Sequence, residues 1–347
     1  MKMIAVYGAG QMGLAAISLM KRERLKVIAI LDKNAKQLPG EIEGIPVMHM
    51  DGVDTTLLKD LTIVVCVAIC HFQEIERELK NKGFDHIISC GKFVYELYPD
   101  REFANLWRLD GEQVDIIEKN QSIFFDEDSK RYYYYGAFFF KHLEDHSKLK
   151  IYLPKEKYFP PEIKKVLKND EIVLDTFWLN GEYINRYQEL IGGFTHYYAF
   201  AVKRKETPKE KADTTFSPLE FSSFQSLKKE IRLGVMRPYT EGEAEEISFD
   251  LIDNQMIGKK YTFLRCYSMS PCLDIIKGGI DSIKANRPVL AVNIGHYKQD
   301  FLEIPSLLKD NLKSYDWIYR QHGYYGCDSI LYGIPKERLL KNENTVI

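Results

Sequence analysis

Three glycines, Gly8, Gly10 and Gly13, stand at G-x-G-x-x-G spacing in GAGQMG, directly after the apolar run MIAVY. A helical pattern, LAAISLMKRE, follows, and the next apolar run, KVIAILD, ends on Asp32. Strand, glycine turn, helix, strand and acid in that order describe an anion site. Gly8 permits the tight turn, Gly10 leaves room for a phosphate, and Gly13 lets the helix pack close. The helix N-terminus offers unpaired N–H groups to the anion, and Asp32 is placed to accept from a ribose hydroxyl. The expected occupant is a nucleotide or nucleotide-sugar. A glycine turn that only packs helix on strand has the same spacing.

A second constellation lies in IVLDTFWLNGEY, residues 172–183. An apolar run meets Asp175, and Gly181 and Glu182 follow. Such turns are glycine-rich where backbone must approach a ligand, yet this one carries Phe177 and Trp178. These rings either fill the cleft or, at Trp178, stack on an adenine.

Further along, HYKQDFLEIP offers His296 as a general base, or as a buried, hydrogen-bonded histidine. RCYSMSPC places Cys266, Ser268, Ser270 and Cys272 after a strand, with no matched base nearby in sequence. His142 and His146 are four apart and share a helix face, but the order H-x-E-D-H is not the metalloprotease pattern. Cys66, Cys70 and His71 sit at a strand exit. Neither group has a clear complement of metal ligands, so no metal is expected.

Lys+Arg 48 against Asp+Glu 50 leaves a net charge of −2, which argues against a nucleic-acid footprint. No apolar run is long enough to span a bilayer, and MKMIAVYGAG reads as a first strand rather than a secretory signal. A cytoplasmic protein with free thiols is expected. The expected partner is a small molecule, with no nucleic acid and no membrane.

The elements that must position these groups alternate. IPVMHM, TIVVCVA and HIISC continue the first βα series, which closes a small doubly wound sheet over residues 1–98. Residues 99–150 break the rhythm. They read as a helical connector, and RYYYYGAFFF is apolar all round, as in a helix buried on more than one side. Over 151–347 the alternation resumes with EIVLD, HYYAFAV, YTFLRCYS, VLAVNI, WIYRQH and SILYGIP, the last two as a closing antiparallel pair. The fold class is α/β: two Rossmann-like doubly wound domains joined by a helical, aromatic-rich segment.

Two resemblances follow from these segments. VYGAGQMGLAAISLM…VIAILDKNAKQLPGEIEGIPV resembles the small Rossmann domain at the front of sugar-modifying proteins, including some sugar acetyltransferases, where it holds a nucleotide-sugar. The series DEDSKRYYYY, YFPPEI…LKNDEIVLD, HYYAF, TFLR, DIIKGGIDSIKANRPVLAVNIGHYKQDFLEIPSLLK and CDSILYG resembles the FkbM-type methyltransferases over about residues 120–335. This resemblance implies a class I methyltransferase fold, S-adenosylmethionine as cofactor, and O-methylation of sugars or glycan building blocks. It implies cofactor contacts at Asp175, Gly181 and Glu182, with Trp178 in the same cleft.

The chain departs from the family at three places. Thr176, Phe177 and Trp178 replace small residues, Ala201-Val202-Lys203 replaces the acid after the second strand, and Tyr267-Ser268-Met269-Ser270 replaces an acid–Ile–acid–Gly motif. A lost carboxylate–ribose contact costs about 1.5–3 kcal/mol, and bulky residues in the turn cost about 1–3 kcal/mol more. The expectation is an altered or weakened S-adenosylmethionine site, or a non-methylating nucleotide-sugar-binding or scaffolding protein.

Overall fold

The computed structural model describes residues 3–54, 60–67, 72–98, 109–139, 156–176, 182–202, 214–221, 247–248, 251–268, 271–322 and 328–343. The chain divides into two compact units, one built on Met1–Asp110 and the other on Gly111–Tyr134, Ile151–His322 and Asp328–Ile347.

The first unit carries a six-stranded sheet. Its strands are β1 (Met3–Tyr7), β2 (Val27–Leu31), β3 (Glu41–Ile42), β4 (Ile45–Met48), β5 (Leu61–Val65) and β6 (His86–Ser89), in the order β3-β4-β2-β1-β5-β6. All pairs are parallel except the short β3–β4 hairpin. The side-chain period of two explains why the runs are apolar throughout. Ala5, Tyr7, Leu31, Ile63 and Val65 face one way and meet Phe72, Ile75 and Leu79 of the helix Phe72–Asn81. Ile4, Val6, Ile30 and Val64 face the other way and meet Ala16, Ile17 and Met20 of the helix Gln11–Arg22.

The second unit carries eight strands: β7 (Ile172–Asp175), β8 (His196–Val202), β9 (Thr214–Phe221), β10 (Ile247–Ser248), β11 (Phe263–Cys266), β12 (Val289–Asn293), β13 (Tyr315–Gln321) and β14 (Ser329–Pro335). Their order is β10-β9-β8-β7-β11-β12-β14-β13. Strands β8, β7, β11 and β12 are mutually parallel, and β14 runs antiparallel to both β12 and β13. The chain leaves β7 toward β8 and returns on the other side at β11. The carboxyl ends of β7 and β11 therefore flank the switch point, where doubly wound sheets open a crevice. On one face of this sheet Val173, Phe263, Val289 and Ala291 pack on Phe159, Ile163, Ile184 and Tyr187.

One expectation is corrected. Strand β9 was not anticipated; it pairs antiparallel with β8 and contains Pro218. Proline removes a donor, and among the described residues β10 pairs with β9 at Thr214 and Thr215 alone, so Pro218 faces only β8 there. Along the tyrosine-rich helix Glu127–Phe139 burial is graded among the described side chains. Tyr133, Gly136 and Ala137 face inward at i, i+3, i+4 spacing, whereas Tyr132, Tyr134 and Tyr135 are half-buried and Arg131 is exposed. Of the segment expected as a separate connector, Gly111–Tyr134 belongs to the second unit.

The docking of that segment has a specific cause. Pro305 lies inside the helix Lys298–Asn311 and cannot donate to the carbonyl of Phe301. Tyr133 Oη donates to that carbonyl instead, at 2.6 Å, while its ring stacks on Phe301 at 4.5 Å. Asn120 Nδ2 donates to the neighbouring Leu302 carbonyl at 2.7 Å. Tyr133→Phe keeps the stack but leaves a buried carbonyl unpaired, so a loss of about 1–3 kcal/mol is expected in urea unfolding.

Candidate functional site

The glycine turn of the first unit has the geometry its spacing predicts. Gly8 has φ +109°, and a Cβ there would lie 2.8 Å from the Cys66 carbonyl oxygen. A Cβ on Gly13 would lie 1.9 Å from the Gly8 carbonyl oxygen, so the helix rides directly on the turn. Gly10 differs: a Cβ there meets nothing within 4 Å. Gly10 is the N-cap of the helix Gln11–Arg22, it has no side chain to cap the first turn, and no acid lies in that turn. The amides there are available to an anion. Asp32 Oδ2 accepts from the Ala9 amide at 2.9 Å and Oδ1 from the Asn34 amide at 2.8 Å. The acid thus closes the turn, and each oxygen keeps a second lone pair for a hydroxyl.

The mouth of the second sheet is built differently. Asp175 ends β7 and is 1% exposed. Its Oδ1 accepts from Arg265 Nη1 at 2.6 Å and its Oδ2 from the Tyr197 hydroxyl at 2.5 Å. Arg265 lies within the buried strand β11, and its guanidinium lies 4.3, 4.6 and 5.5 Å from the ring centres of Tyr183, Tyr158 and Tyr267. Burial alone would lower the guanidinium pKa; the Asp175 carboxylate and the surrounding phenols more than reverse this, so the charge is held firmly. Burial, reinforced by Asp175, pushes the Tyr197 phenol far above its usual range. Tyr158 reaches the cluster from a left-handed backbone, φ +69°, a conformation costly for a bulky residue. Thr176 Oγ1 bonds both the amide and the carbonyl of Tyr267, extending the β7–β11 pairing past the strands.

Asp175, expected to contact a cofactor, is therefore engaged inside the protein. Phe177, Trp178, Gly181, Lys203, Met269 and Ser270 lie outside the described residues, as do Cys70, His71, His142 and His146. Glu182 opens the helix Glu182–Ile191, and its side chain is not among those described, nor are the side chains of Ala201 and Val202. Cys266 and Cys272 are buried. The hydrogen bond that the Cys272 thiol gives to Cys266, with burial, pushes its pKa well up, which opposes thiolate chemistry there. Among the described residues no three His, Cys, Asp or Glu side chains gather as a metal site, and no helix is long and apolar enough to cross a membrane.

His296 follows β12 and lies at the same mouth. Its Nδ1 is 3.2 Å from the Ser268 carbonyl oxygen, and its ring meets Tyr267 edge-on at 5.0 Å. Burial lowers its pKa, which keeps the imidazole neutral at neutral pH. Asp300, four residues on, is fully buried and caps the helix Cys272–Lys277 by accepting from the Cys272 and Leu273 amides, both at 2.9 Å. Burial raises its pKa to about 6, against the two amide bonds that lower it. A carboxyl that holds its proton more tightly folded than unfolded favours folding at low pH. That contribution is full below the ordinary carboxylate pKa and is lost as pH rises through about 6. Asp300→Asn should flatten the fall in stability between about pH 4 and 6, as followed by urea unfolding across that range.

Sequence reasoning missed Arg265, Tyr197, Tyr158, Lys157 and Asp328. Arg265 alone had a signal: a single charge within the apolar run FLRC requires a buried partner.

No family model matches the chain, and no curated protein matches it in sequence. Among solved structures, the chain is similar to the crystal structure of methyltransferase FkbM from Methylobacillus flagellatus KT, with a TM-score of 0.68 and 15% identity. The match covers 96% of this chain and 90% of that one. The likeness shows a methyltransferase-like α/β fold.

Proposed function

We propose that the chain binds a sugar or nucleotide-sugar on a methyltransferase-like fold in which S-adenosylmethionine is held weakly or not at all. One observation carries this reading: both oxygens of Asp175 already accept from Arg265 and Tyr197. Asp175 is 1% exposed, so a nucleoside hydroxyl could reach it only by opening this buried ion pair, and removing one partner from such a pair costs about 3–5 kcal/mol. The first glycine turn, with open space at Gly10 and lone pairs at Asp32, is the better nucleotide receptor. A thermal-shift and calorimetry panel of S-adenosylmethionine, its demethylated product, NAD and nucleotide-sugars tests this. Nucleotide-sugars should raise the melting temperature, and S-adenosylmethionine should give no heat at millimolar concentration. Gly10→Val should keep the fold and weaken nucleotide-sugar binding at least about tenfold. Micromolar S-adenosylmethionine affinity would refute the reading.

A second reading is favoured by the neutral His296 at the mouth of the second sheet. In it the protein still O-methylates a sugar. His296 takes the hydroxyl proton as the methyl group passes from sulfonium to oxygen, and positioning supplies most of the rate. Transfer of a labelled methyl group to a sugar, abolished in His296→Phe, would select this reading.

A further inference from the structure

Four side chains from separate segments share one patch at the mouth of the second sheet. Lys157 and Asp328 form an ion pair and are partly exposed, 24% and 31%. Lys157 Nζ lies 5.4 Å from the centre of the Tyr267 ring, which in turn meets His296. Lys157 and Asp328 both act on His296 electrostatically, with opposite signs. All four residues belong to the second unit.

The patch has hydrogen-bonding capacity to spare. An ammonium has three donors, and among the described residues Lys157 gives one, to Asp328 Oδ1. The second Asp328 oxygen receives no donor from those residues. A carbonyl can only accept, so the contact with Ser268 assigns the proton of His296 to Nδ1. Nε2 then carries a lone pair, and it has no hydrogen-bond partner among the described residues. Open donors and open acceptors thus stand side by side along the Tyr267 ring. Neither a simple anion nor a simple cation uses both kinds. A ring bearing several hydroxyls does, because each hydroxyl both donates and accepts.

We propose that this mouth is the sugar subsite: His296 Nε2 accepts from one hydroxyl, Lys157 and Asp328 hold its neighbours, and Tyr267 forms the wall between them. The assignment rests on the sugar-binding reading above and supplies its residues. Lys157 and Asp328 also bias His296, since the lysine lowers its pKa and the aspartate raises it. Among the described residues, Tyr267 is the further titratable group in ring contact with the imidazole.

Imidazole ¹⁵N spectra of the full-length chain test the proposal, with the His296 signals assigned by loss in His296→Phe. In the free protein Nδ1 should be protonated and Nε2 not. Methyl glucoside and UDP-glucose should both shift the Nε2 signal saturably. Lys157→Met and Asp328→Asn should each weaken that response about tenfold, and Lys157→Arg should retain it. Lys157→Met should raise the pH at which His296 titrates and Asp328→Asn should lower it, a readout that simple loss of packing does not move. A protonated Nε2 in the free protein overturns the proposal. So does UDP-glucose binding that leaves His296 unmoved, although nucleotide-sugar binding itself would then stand. If neither probe binds, both readings fall together. If S-adenosylmethionine binds tightly while methyl glucoside still moves His296, only the weakened-cofactor reading falls.

Discussion

Arg265→Ala is expected to destabilise the second unit by about 3–5 kcal/mol, the usual cost of stranding one partner of a buried ion pair. Asp175 is 1% exposed and would lose its guanidinium partner while the Tyr197 hydroxyl still donates to it. The guanidinium also lies against Tyr158 and Tyr183, so its removal forfeits two cation–π contacts and opens a void between rings. Asp175→Ala should be comparably harmful for the opposite reason, a guanidinium left buried without its carboxylate. The double change Arg265→Met with Asp175→Leu should cost far less than either single change, because no charge remains to be desolvated. Urea unfolding of the two single variants and the double variant closes the cycle. A loss under about 1 kcal/mol for Arg265→Ala would mean that water or ligand already reaches Asp175, since exposed pairs contribute only that much. The crevice would then be open, and Asp175 would be accessible to S-adenosylmethionine.

What sequence could and could not reveal follows from the range of the interactions. Strands β1, β2, β5 and β6 were legible because each is a short apolar run next to its own turn residues, and period-two alternation fills both faces of a covered sheet. The antiparallel β13–β14 pair was legible in the same way. Strand β9 was not, because Pro218 breaks the pattern, and its tolerance depends on how far β10 extends beside it. The helix kept by Pro305 depends on a hydroxyl 172 positions earlier in the chain, at Tyr133, and no local rule connects the two. The same limit governs the sites. Gly8, Gly10, Gly13 and Asp32 act within one βαβ unit, and their spacing already states the geometry. Asp175 looked equally available, but its partners, Arg265 and Tyr197, arrive from other strands. A carboxylate's availability is a property of its neighbours in space, so a matching motif residue can be already occupied by the protein itself.

The glycines of the first turn separate what packs from what binds. Gly13→Ala is expected to cost at least the upper end of the usual overpacking range, about 3 kcal/mol. The added Cβ would sit 1.9 Å from the Gly8 carbonyl oxygen and 3.0 Å from its carbon, both backbone atoms that cannot rotate aside. The turn cannot retreat easily. The Gly8 amide donates to the Leu31 carbonyl at 2.8 Å, and the Ala9 amide is held by Asp32 at 2.9 Å. Gly8 itself has φ +109° and backs onto the Cys66 carbonyl. The strain therefore passes to the helix Gln11–Arg22, which must lift and uncover Ala16, Ile17 and Met20 from Ile4, Val6 and Ile30. Gly10 lies three residues earlier, in open space, so Gly10→Val should leave the melting temperature nearly unchanged and act on ligand binding alone. Amide hydrogen exchange in β1 and β2 should rise in the Gly13 variant and stay at the parent level in the Gly10 variant. Equal protection in both would show that the helix does not rest on the turn.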